Sequence, residues 1–135
     1  MTRTDPSDPR PDDIALSDLQ LDVMRVLWRG EASVADVAAA LAAERGLAHT
    51  TVATLLTRLA KRGAVAQRRD GRVLYYSALV TEPQVRRTMV GDLIQTLFRG
   101  DPGALLAHLV TEKEVAPGDL ERVRALLAGV KANKP

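Results

Sequence analysis

Apolar positions recur at helical spacing along most of the chain, and the period changes once. Leu21, Met24, Leu27 and Trp28 form a first stripe, and Val34, Val37, Ala38 and Leu41 a second. A third runs through Val52, Leu55, Leu56 and Leu59, each set lying on one face of a helix. The punctuation agrees with the pattern. Ser17 and Gln20 form an S-x-x-Q capping box, with Leu16 and Leu21 placed for a hydrophobic staple. Gly30 ends that helix and Ser33 is the N-cap of the next, which Gly46 terminates. After the short turn Leu47-Ala48, the third helix begins near His49 and stops at Gly63. Trp28, the single tryptophan, is expected as a core anchor.

Beyond Gly63 the spacing becomes strand-like. The runs 65–69 and 72–77 flank Asp70-Gly71, a two-residue hairpin signal. The hairpin carries Arg68, Arg69 and Arg72 at its tip.

From Glu82 the pattern is helical again. Val85, Met89, Leu93, Ile94, Leu97 and Phe98 form a stripe that runs to Gly100. Asp101 can cap a helix with Pro102 at its first position, carrying Leu105, Leu106, Leu109 and Val110. Pro117 opens a last helix with Leu120, Val123, Leu126, Leu127 and Val130 on one face. Three such helices are marginal as a self-contained core. They most simply bury their stripes against a second copy, which predicts a homodimer. The dimer contacts are expected from Val85, Met89, Leu93, Leu97 and Phe98, then Leu105, Leu106 and Leu109, then Leu120, Val123, Leu126 and Leu127.

The fold expected is mostly α with a small β-hairpin wing: a winged helix-turn-helix domain over 14–80 and a C-terminal helical dimerisation domain over 81–135. Residues 1–13, rich in Pro and Asp, read as a disordered acidic tail. Aromatics make up only 3% of the 135 residues, so the core must come from Leu, Val and Ala, which favours helices.

Charge changes the picture locally. The whole chain carries only +2, but residues 1–13 carry −2 and residues 49–77 carry +5. The basic stretch holds the third helix and the hairpin, a candidate electrostatic footprint for nucleic acid. The face of the third helix away from its apolar stripe is small and polar first, basic last. His49, Thr50, Thr51, Ala53, Thr54, Thr57 and Arg58 are the candidates for the DNA groove and base edges. Ser33, Lys61, Arg62, Arg68, Arg69 and Arg72 are the candidates for phosphate. The alternative reading is a winged-helix protein-interaction module that does not bind DNA; the +5 cluster argues against it.

No reactive constellation suggests an enzyme. The two histidines, His49 and His108, lie in different segments without a matching acid, and no P-loop, G-x-S-x-G or H-x-x-x-H pattern occurs. The chain has no cysteine, which excludes disulfides and thiolate zinc sites. No cofactor and no metal are expected. The sequence has no apolar run of transmembrane length and no signal-peptide pattern, so a cytoplasmic protein without direct membrane insertion is expected.

The segments L-Q-L-D-V-M-R-V-L-W at 19–28, A-H-T-T-V-A-T-L-L-T-R-L at 48–59, K-R-G at 61–63, G-R-V-L-Y-Y at 71–76 and A-L-L-A-H-L-V at 104–110 occur in order. Together they resemble the penicillinase-repressor family, the BlaI/MecI/CopY group, over roughly residues 16–128. The resemblance implies a winged-helix domain, a helical dimerisation domain and a transcriptional repressor of palindromic operators on double-stranded DNA. It places Thr50, Thr51, Ala53, Thr54 and Arg58 where the family's recognition helix meets DNA; better-known members often have a longer polar residue at the Ala53 position. It also implies release by proteolysis of the C-terminal domain, through a membrane sensor metalloprotease pathway. Two departures stand out. The copper-responsive branch uses C-terminal cysteines, absent here. The β-lactam repressors have an Asn-Phe cleavage point where this chain reads Gly100-Asp101-Pro102, and proline there argues against inducible cleavage and against β-lactam resistance as the output.

Overall fold

A computed structural model describes residues 14–132; the tail expected over 1–13 lies outside them. The elements are α1 (Asp18–Leu27), β1 (Ala32–Ser33), α2 (Val34–Arg45), α3 (His49–Lys61), β2 (Val65–Asp70), β3 (Val73–Ala78), α4 (Glu82–Leu97), α5 (Pro102–Thr111) and α6 (Asp119–Ala132). The chain divides into two compact units between Asp92 and Leu93, within α4.

In the first unit the caps form as the sequence indicates. The Ser17 hydroxyl accepts from the Gln20 amide, and the Gln20 side chain accepts from the Ser17 amide. Ser33 and Asp36 repeat the arrangement at α2, which ends on Gly46 at φ 58°, the left-handed conformation that favours glycine. Val23, Met24, Val37, Val52, Leu56 and Leu59 are fully buried, so the three predicted stripes meet in one core. Ile14, Val80 and Val85 close it from the chain flanking the three helices. Trp28 packs half-buried against this core, and its Nε1 donates to the Val80 carbonyl at 2.8 Å. The anchor therefore has its one polar atom satisfied.

The sheet differs from expectation in two ways. It has three antiparallel strands in the order β1-β3-β2, because Ala32 and Ser33 pair with Tyr76 and Tyr75. A two-residue strand leaves no periodicity to read, so β1 was not expected. The hairpin loop is Gly71-Arg72 rather than Asp70-Gly71, since Asp70 pairs with Val73. Gly71 takes φ +63° at the first loop position, where a β-carbon would be strained.

The stripe on α4 does not act as one surface. Val85 is buried in the first unit's core and Met89 packs partly buried against it. Val85 is thus taken up within its own chain and is withdrawn as a dimer contact. Thr81 and Gln84 form a further capping box at this helix's start.

In the second unit, Asp101 caps α5 by accepting from the Gly103 amide at 2.9 Å, with Pro102 at the first helical position. The last helix begins at Asp119, later than Pro117, and the Asp119 carboxylate accepts from the Ala116 amide. Leu97, Leu106, Leu120, Leu126 and Leu127 are each about 60% exposed or more in the single chain. Leu93 and Val123 are exposed, while Phe98, Leu105 and Leu109 are half-buried. Val130 falls where side chains are not described.

Candidate nucleic-acid interface

The apolar face of α3 is consumed by the core: Val52, Leu55, Leu56 and Leu59 are its buried residues. What remains outward is the polar face. His49, Thr50, Thr51, Thr54, Thr57, Arg58 and Lys61 are all exposed, and Ala53 is half-buried. No carboxylate lies on this helix, so nothing within it offsets the cations of its last turn, Arg58 and Lys61. The N-cap, Ala48, offers no side-chain acceptor, which leaves the first amides of α3 without a capping side chain. Thr50, Thr51, Thr54 and Arg58 line an open hollow with Leu19 of α1 and Leu55 as its apolar lining.

The wing stands beside the starts of two helices. Ser33, Val34 and Ala35 of β1 and α2, His49 of α3, and Arg69, Arg72, Val73 and Leu74 of the hairpin line one open cleft of about 300 Å³. Sequence-distant candidates are therefore gathered into a single concave surface with Arg69 and Arg72 on its wing side.

The six cations of the +5 segment are not equivalent. Arg62 is engaged within the chain: its Nη2 donates to the Ala15 carbonyl at 2.7 Å and its Nη1 to Gln20 Oε1 at 3.3 Å. It braces the chain ahead of α1 and is withdrawn as a phosphate contact. Arg68 donates twice to the Glu31 carboxylate and lies 4.8 Å from the centroid of the Tyr75 ring, its cross-strand partner. Those hydrogen bonds hold the Glu31 carboxyl below the ordinary glutamate range and push the Arg68 guanidinium further above its own. Arg58, Lys61, Arg69 and Arg72 form no ion pair with another described residue. Ser33 is buried; its amide donates to the Asp36 carboxylate and its hydroxyl oxygen accepts from the Asp36 amide, so only the hydroxyl proton at the cleft edge remains for a phosphate.

Glu31 is the site residue that sequence reading missed. It stands alone after Gly30, and nothing in its spacing points to a residue thirty-seven positions on.

Among the described residues no cluster of three or more His, Asp or Glu could hold a metal ion, and no helix is long and apolar enough to cross a membrane.

The penicillinase repressor family matches residues 16–129. The chain belongs to this family. Its members are DNA-binding transcriptional repressors and not enzymes. The chain is 39% identical over 126 residues to the transcriptional regulator BlaI of Mycobacterium tuberculosis, covering 89% of this chain and 90% of that one. It is 24% identical over 113 residues to the methicillin resistance regulatory protein MecI of Mammaliicoccus sciuri, covering 83% and 92%. Among solved structures, the complex of hsRosR-S4 superposes with a TM-score of 0.52 at 21% identity, covering 91% of this chain and 96% of that one. That likeness speaks to the fold alone. In this fold α3 is the third helix of the first unit and β2–β3 the hairpin that follows it.

Proposed function

We propose that the chain is a sequence-specific repressor that acts as a homodimer on a two-fold symmetric operator. The observation that carries this reading is the exposed polar face of α3 beside a wing, with Arg58, Lys61, Arg69 and Arg72 forming no ion pair among the described residues. Exposed guanidinium and ammonium groups on α3 and the wing suit a phosphate backbone, and the small side chains of α3 let a helix approach base edges. Thr50, Thr51 and Arg58 are assigned to base edges and the other three cations to phosphate.

The dimer is supported by the second unit. Leu97, Leu106, Leu120, Leu126 and Leu127 there are left exposed in the single chain, the kind of apolar surface that marks a protein interface. A second copy would cover it and would present two recognition helices to successive major grooves. Repression would follow by occlusion of a promoter.

We assign no cleavage to the Gly100–Pro102 segment. Asp101 and Pro102 form a helix start there, and Pro102 fixes the backbone.

Selection of duplexes from a random pool, followed by footprinting, tests the reading. The expected result is an inverted repeat protected symmetrically. Recovery of no preferred sequence would contradict it.

A further inference from the structure

Thr54 and Thr57 are spent as donors within α3. The Thr54 hydroxyl donates to the Thr50 carbonyl at 3.0 Å, and the Thr57 hydroxyl to the Ala53 carbonyl at 2.9 Å. A helical threonine bonded to the i−4 carbonyl has its hydroxyl turned back along the helix. What it offers outward is its γ-methyl group, with only oxygen lone pairs beside it. Thr50, Ala53, Thr54 and Thr57 lie at i, i+3, i+4 and i+7, so they share one face. Its centre is then a strip of three methyl-bearing positions: Ala53, Thr54 and Thr57. Thr54 also lines the hollow that has Leu19 and Leu55 as its apolar members. No hydrogen-bond donor from a side chain stands in that strip until Arg58.

In the major groove an apolar surface distinguishes one base by contact: thymine, through its 5-methyl group. We infer that the centre of α3, Ala53, Thr54 and Thr57, selects thymine by methyl contact, and that Thr54 is a specificity-determining residue through its methyl rather than its hydroxyl. This rests on the DNA reading above. It divides the helix by chemistry: Thr50 and Thr51, whose hydroxyls donate to no described residue, hydrogen-bond at the first turn; the middle makes apolar contact; Arg58 reads at the end.

The test uses the full chain and the tightest duplex recovered from a random pool. Each thymine is replaced in turn by deoxyuridine, which removes the methyl and keeps every hydrogen-bonding group. At the thymines facing α3, affinity should fall about fourfold, the worth of one buried methyl. Thr54→Val, which keeps the methyl and loses the hydroxyl, should retain affinity and the deoxyuridine penalty. Thr54→Ser, which does the reverse, should bind about fourfold weaker and be indifferent to deoxyuridine at the partner position. Specific binding that is insensitive to every deoxyuridine, or Thr54→Val losing affinity while Thr54→Ser keeps it, overturns this inference alone. Absence of any preferred duplex overturns the DNA reading and this inference with it. The deoxyuridine arm needs no protein variant, so it stands whether or not either variant folds.

Discussion

The Glu31 carboxylate accepts two hydrogen bonds from the Arg68 guanidinium, from Nε at 3.0 Å and from Nη2 at 2.8 Å. The pair ties the loop ahead of β1 to β2, and Arg68 also lies over Tyr75 on β3. A cation held in a fork by a carboxylate is already neutralised, so it competes poorly for phosphate. Arg68→Ala should therefore cost less DNA affinity than Arg69→Ala or Arg72→Ala. Each of the latter should weaken binding to operator and random duplex alike and flatten the operator salt slope by about 1.8, one contact from each protomer. A ranking with Arg68 as the most damaging of the three would show that the fork opens on DNA.

The same pair gives the wing a pH dependence. Arg68 holds the Glu31 carboxyl below its ordinary range. A carboxyl depressed in the folded state stabilises it fully above its unfolded value and loses that contribution as pH falls through the folded value. Both groups are exposed, so the effect is local. The protection factors of wing amides, relative to intrinsic exchange at each pH, should fall on acidification below the ordinary glutamate range, and Glu31→Gln should show low protection at neutral pH with little further change. An equal acid response in the Gln variant would remove Glu31 from the account.

Two substitutions weigh the core against the caps. Leu56 is fully buried at the meeting of the helices, and Leu56→Ala should cost about 2–5 kcal/mol of stability, measured by urea denaturation. Ser33→Ala removes the α2 cap and should cost about 1 kcal/mol. If the two losses were equal, the assignment of stability to the stripe core would be wrong.

Charge placed on the second unit's leucine surface tests the dimer. Leu126→Glu, at an exposed position on α6, should leave the unfolding of the first unit unchanged and shift sedimentation toward the monomer. It should also weaken operator binding much more than binding to a half-site. A variant that stays dimeric with unchanged operator affinity would move the interface elsewhere.

Legibility followed physical range. The helices of the first unit were readable because their caps, Ser17 with Gln20 and Ser33 with Asp36, act within four residues, and their stripes answer to one core. The hairpin was readable from its glycine, but its loop fell one residue later than Asp-Gly suggested, because register is set by cross-strand pairing. β1 was illegible, since two residues carry no period and Ala32 owes its state to Tyr76. Among the site residues, the outward face of α3 followed from helical period alone. The fates of Arg62 and Arg68 did not: their partners, Ala15 and Glu31, are brought near only by the tertiary fold. Val85 shows the same limit on α4, where one stripe serves two units.

The most direct test of the central claim is the salt dependence of binding to a duplex containing the selected operator. Three phosphate-directed cations per chain, Lys61, Arg69 and Arg72, in a dimer on two half-sites predict that log K falls with log salt at a slope on the order of −5. The same titration on a random duplex should give weaker binding that is also steeply salt-dependent. A slope near zero on both duplexes, or no affinity at low salt, would contradict the claim that this face of the chain meets DNA.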